Sequence, residues 1–135
     1  VTIIGLAPIS LKDAVLTVDG DDFTASVSEV SFVPEVDYEW LPLGFGGRQT
    51  PVPSGTRWVV MVSYAQDFDT ADGFTRYLYA NAGSMQSLTF TPKDGSSAAV
   101  SGSALIVPGK LGGSATDATL TAQVVLPLDG EPVLV

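Results

Sequence analysis

The feature that most constrains this chain is a two-residue alternation of apolar and polar side chains that recurs along most of its length. Successive side chains of a β-strand point to opposite faces, so this period commits the chain to half-buried strands. Residues 14–18 (AVLTV) make a short β-branched strand ending at Asp19-Gly20, a hairpin-turn pair because Gly accepts the positive φ such a turn requires. Residues 22–33 (DFTASVSEVSFV) place Phe23, Ala25 and Val27 on one face, then switch phase so that Val30 and Phe32 carry the apolar set. One extra residue near Ser28-Glu29, a β-bulge, accounts for the switch. Residues 57–65 (RWVVMVSYA) are apolar on both faces, as in a strand covered on both sides. Alternation resumes in 85–91 (MQSLTFT), 99–107 (AVSGSALIV) and 118–126 (ATLTAQVVL), followed by an extended tail with an apolar end.

Two segments depart from this period. In 69–83 (DTADGFTRYLYANAG), Phe74, Tyr77 and Leu78 fall at i, i+3 and i+4, which predicts a short helix over about residues 71–82. Thr70 or Asp72 is placed to cap its start, Gly83 to stop it, and its apolar stripe to cover the second face of the Trp58 strand. Residues 41–55 (LPLGFGGRQTPVPSG) hold three Pro and four Gly and are expected as a long loop at about 41–56. Disordered linkers are polar, whereas this segment carries Leu41, Leu43, Phe45 and Val52, so it is expected to seek a partner surface. The fold class that follows is mainly β: one domain spanning 1–135, a β-sandwich or open barrel with one short flanking α-helix.

Composition then excludes most chemistry. The chain has no Cys and no His, which removes disulfides, thiol catalysis and the commonest general base and zinc ligand. Asp19, Asp21 and Asp22, and again Asp67, Asp69 and Asp72, form clusters that could offer carboxylate oxygens to a cation such as Ca²⁺. Neither has the spacing of a calcium loop with its closing Glu, and turn chemistry and helix capping account for both. No phosphate loop, S-x-x-K motif or marked carboxylate pair is present, so no catalytic residue, metal or cofactor is assigned. The net charge of −9 repels nucleic acid and anionic membranes, and residues 1–40 hold eight of the acids against the single base Lys12. Only 16% of residues are charged while 45% are hydrophobic, which leaves apolar surface for a partner to cover. Residues 1–9 lack the basic start and long apolar run of a signal peptide, which gives the expectation of a protein made and kept in a cytoplasm, with no membrane partner.

Four stretches, in order, resemble the major tail tube proteins of long-tailed, siphovirus-like bacteriophages. They are the hydrophobic strand 58–64 entered from a long loop, the aromatic-rich run 72–83, the strand 87–92 (SLTFTP) leading into Lys93-Asp94-Gly95, and the ending. That ending runs from Gly112-Gly113 through 119–125 to Leu128-Asp129-Gly130-Glu131-Pro132. The resemblance implies a structural virion subunit, assembled in the host cytoplasm. Six copies would close into a ring and rings would stack into a hollow tube that passes DNA without binding it. It implies contacts with other tail proteins such as the tape measure and terminator. It makes the 41–55 segment, with Leu41, Leu43, Phe45, Arg48 and Val52, the inter-ring contact. It makes acids such as Asp19, Asp21 and Glu29 a lumen lining, and it sets Phe74, Tyr77 and Leu78 against the sheet. Two other classes suit the same composition. One is a capsid decoration or tail-terminator protein. The other is an immunoglobulin-like adhesion or carbohydrate-binding domain, for which Trp40 and Trp58 would be the stacking aromatics.

Overall fold

The computed structural model describes residues 2–8, 10–95 and 97–135 and, for Leu43, the backbone only. After a 3-10 turn at Leu11–Asp13, the elements run β1 (Val15–Val18), β2 (Asp21–Asp22), β3 (Val27–Leu43), β4 (Arg48–Ala65), α1 (Phe74–Ala80), β5 (Met85–Thr91), β6 (Val100–Leu105), β7 (Thr121–Pro127) and β8 (Val133–Leu134). The strands form two antiparallel sheets, ordered β2-β1-β5-β6-β8 and β3-β4-β7, and neither closes into a barrel. The alternation expected from the sequence is what welds them. Leu16, Val18, Leu88, Phe90 and Ala104 from the first sheet meet Val60, Val62, Tyr64, Ala122, Val124 and Leu126 from the second, all buried. Register keeps like with like, since Val60 pairs with Leu126, Val62 with Val124 and Tyr64 with Ala122. Each such large side chain stabilises the fold by about 1.5–3 kcal/mol relative to exposure.

Turn chemistry explains the early chain. Asp19 (φ 52) and Gly20 (φ 83) both take positive φ, the demand of a tight hairpin between β1 and β2. The single strand expected over 22–33 is broken. Asp22 accepts hydrogen bonds from the Thr24 amide (2.9 Å) and the Thr24 hydroxyl, and that Oγ1 accepts from the Leu16 amide (3.1 Å). A side chain that satisfies its own backbone two residues on turns the chain. Phe23 is therefore buried while Ala25 is exposed. The bulge expected near Ser28-Glu29 is present: pairing jumps from Val27↔Tyr64 to Glu29↔Ser63, and Val30 and Phe32 then pack on the core.

The helix is shorter than the expected 71–82 and starts differently. Gly73 is its N-cap without a side-chain bond, because the Thr70 hydroxyl is donated to Asp67 Oδ2 (2.5 Å). Gly83 (φ 88) lies just beyond its end, as expected. Its position is a second difference. Phe74 meets the Tyr64 ring edge-on at 5.0 Å and Phe23 at 5.1 Å, so α1 plugs the end of the core instead of covering the second face of β4. The opposite face of β4, with Val59, Met61 and Ser63, stays half-buried.

The largest correction concerns the loop expected at about 41–56. Pairing between β3 and β4 continues, with one register shift between Asp37↔Gly55 and Tyr38↔Pro53, past Trp40↔Pro51 to Leu43↔Arg48, and only residues 44–47 turn, with Gly44 (φ 72) and Gly47 (φ 71) in the left-handed region. A two-stranded ribbon leaves each strand one open edge, where the missing N–H of proline breaks no ladder. Pro51 and Pro53, two apart, share one edge of β4. The Pro and Gly content signalled a ribbon with a tight tip, not an irregular loop.

Candidate assembly surface

From Glu35↔Arg57 to its tip the β3–β4 ribbon carries exposed side chains throughout, Thr50 and the undescribed Leu43 side chain excepted. At about 3.4 Å per residue its nine β3 positions project roughly 30 Å beyond the sandwich. A free ribbon of this length has no core of its own, so its two faces define what it can do.

Those faces differ sharply in chemistry. Odd positions of β3 give Glu29, Glu35, Asp37 and Glu39, all exposed, on the face continued by Ser31 and Val33. Even positions give Val36, Tyr38 and Trp40, continuous with the core-facing Val30 and Phe32. Tyr38 and Trp40 meet edge to face at 5.7 Å, yet remain 56% and 55% exposed. Arg57 lies 3.5 Å from Asp37, an exposed pair that contributes little, and Arg48, opposite Leu43, shares the acidic face at the tip. The 3-stranded sheet that carries the ribbon ends in two open edges, β3 and β7. Open edges present unpaired backbone groups that invite another strand.

The expected site residues divide between this surface and others. Leu41, Phe45, Arg48 and Val52 are exposed on the ribbon, with Phe45 at its tip, whereas the Leu43 side chain lies outside the described residues. Leu41 and Val52 fall on the acidic face, since Val52 pairs with Glu39. Of the three acids, only Glu29 joins Glu35, Asp37 and Glu39. Asp19 and Asp21 sit at the β1–β2 turn in the other sheet, close enough to Tyr77 to add to burial in raising its hydroxyl pKa. Phe74 and Leu78 are buried and Tyr77 packs at the core margin, where its hydroxyl is buried with no hydrogen-bond partner among the described residues. Val36, Tyr38, Trp40 and the acids opposite them were missed as a site, although the alternation EVDYEW announced both faces. Among the described residues no group of three His, Cys, Asp or Glu side chains is arranged to hold a metal ion.

No protein-family profile matches the chain, and no curated protein matches it by sequence. Solved structures do. A chain of the virion of a native gene transfer agent particle superposes with a TM-score of 0.69 at 12% identity, covering 95% of this chain and 99% of that one. A chain of the sheath/tube terminator of an extracellular contractile injection system in its extended state gives 0.64 at 11% identity, covering 96% and 97%. A chain of the sheath–tube complex of such a system gives 0.62 at 12% identity, covering 94% and 90%. The likeness extends over nearly the whole chain, the early residues where the sequence resemblance is loosest included, and the chain shares the fold of these virion and sheath–tube chains.

Proposed function

We propose that this chain is the structural subunit of a tail tube. Copies join the open edges of β3 and β7 into a ring of six, and the β3–β4 ribbon carries each ring onto the next. The acidic face, Glu29, Glu35, Asp37 and Glu39, lines a lumen through which DNA slides. The observation that carries the reading is the two-faced ribbon: an exposed aromatic face that calls for cover, backed by an acidic face that gives phosphates no site at which to release counterions. Edge-to-edge closure also removes the strand edges that this sheet leaves open. Other tail proteins, tape measure and terminator among them, would meet the ends of such a tube.

Negative-stain microscopy with native mass measurement tests the assembly. Rings of six and tubes are expected, and a chain that stays monomeric at high concentration refutes the reading. The lumen assignment is tested separately. Reversing Glu35, Asp37 and Glu39 to Lys should leave tubes able to form but make them retain DNA in a salt-dependent way. A terminator role is a second reading, favoured by the terminator-complex superposition, and it predicts single rings that never elongate. A sugar-binding role is less well supported, because Tyr38 and Trp40 stand at 85° to each other and offer no flat stacking row.

A further inference from the structure

The ribbon tip and a groove beside α1 lie at opposite ends of the subunit. β4 begins at the tip with Arg48 and ends at Ala65, so its 18 residues span on the order of 60 Å. The chain then passes directly to α1, which is fastened to the end of β4. The Asp67 amide donates to Thr75 Oγ1 (3.1 Å), and Gln66 Nε2 donates to the Gly112 carbonyl (2.9 Å). Between α1, the β1–β2 turn and the loop after β6 lies an open groove of about 670 Å³. Its walls include Phe68, Ala71, Tyr79 and Leu111, and Asp21 and Asp72 stand among them with no salt bridge among the described residues. The groove's own cation, Arg76, is turned onto the Phe68 carbonyl (Nε to O 2.7 Å).

The tip is the complement of this groove. Phe45 is fully exposed, and Arg48 beside it makes no salt bridge among the described residues. In a chain with 15 acids and 6 bases, an unpaired cation next to an unpaired aromatic is a specific combination. Pockets of about 300–1,000 Å³ seat small-molecule ligands, so this one has room for an aromatic ring and its turn.

We propose that the ribbon tip of one copy seats in the α1 groove of the next, with Phe45 against Phe68, Ala71 and Leu111 and Arg48 facing Asp21 and Asp72. The tip cannot reach its own groove across the length of β4, so the occupant is a second copy. The contact is head-to-tail and therefore repeats along an axis instead of closing a dimer. This inference rests on the tube reading and names the surface that receives the ribbon.

The absence of cysteine makes the test clean. Gly46→Cys, a tip position with open space around it that leaves Phe45 in place, combined with Ala71→Cys and oxidised after assembly, should give a ladder of covalent oligomers on non-reducing gels, with neither single variant going beyond a dimer. Arg48→Glu should raise the concentration at which tubes appear by about tenfold or more, and adding Asp72→Arg should lower it again. Wild-type tubes without a ladder, and without charge-swap rescue, overturn the groove assignment and leave the tube reading standing. A wild-type chain that forms no tubes overturns both.

Discussion

Replacing Trp40 by Ala separates folding from assembly. In the isolated subunit Trp40 is 55% exposed and meets the ring of Tyr38 edge to face, far out on the ribbon. Losing that edge-to-face contact costs the monomer about 0.5–1.5 kcal/mol, a shift of a few degrees in Tm. Assembly is another matter. An aromatic side chain buries about 150–250 Å², so the exposed half of Trp40 offers roughly 80–140 Å² to a neighbour, worth about 2–3.5 kcal/mol at about 25 cal/mol/Å². That corresponds to roughly 30- to 300-fold in the dissociation constant of each contact. Thermal melts at low concentration and light scattering across a concentration series read the two effects separately. A small Tm change with a large rise in the assembly threshold is expected. An unchanged threshold refutes the claim that this face is covered in the assembly. A melt lowered by tens of degrees refutes the claim that the ribbon stands clear of the core.

Three further outcomes follow from particular contacts. Exchanging residues 39–52 for a two-residue Asn-Gly turn keeps the Tyr38↔Pro53 pair in register, and should leave a folded monomer that no longer stacks, by melt and microscopy. Removing only residues 44–53 would instead strip β3 of its partner. Gly109→Ala should destabilise the fold by about 1–3 kcal/mol, because a Cβ there would lie 2.0 Å from the Tyr64 hydroxyl; adding Tyr64→Phe should recover part of the loss in denaturant melts. Asp67 accepts from the amides of Asp69 and Thr70 and from the Thr70 hydroxyl, and these bonds, the Thr70 hydroxyl first, hold its pKa below the ordinary 3.8. A lowered folded-state pKa means stability that is fully present above the unfolded value and lost as pH falls through the folded one. Tm should therefore drop below about pH 4, and Asp67→Asn should flatten that drop; parallel curves for the two proteins would show that the bonds contribute nothing.

The strands and the helix were legible because their signals are local. Alternation at 85–91 and 118–126 reports one buried face whatever lies opposite, and Phe74, Tyr77 and Leu78 report a helical stripe by spacing alone. The bulge at Ser28 was legible for the same reason, since a change of phase within one strand needs no partner to be seen. What the sequence by itself determined was thus the class of the segments that carry a clear local period and most of the side chains that go inward from them. The tertiary structure decided which segments meet. Proline and glycine in 41–55 carry the same local message whether the chain wanders or folds back in register, and only pairing with 34–43 turns it into a ribbon. Pairing also sorted the acids. Glu35, Asp37 and Glu39 share a face with Glu29 because β3 runs unbroken for 17 residues, while Asp19 and Asp21, near in sequence, turn away into the other sheet. The groove beside α1 has no sequence signature at all. Asp21, Ala71 and Leu111 come together only because the end of β4, the first hairpin and the loop after β6 close over one end of the core.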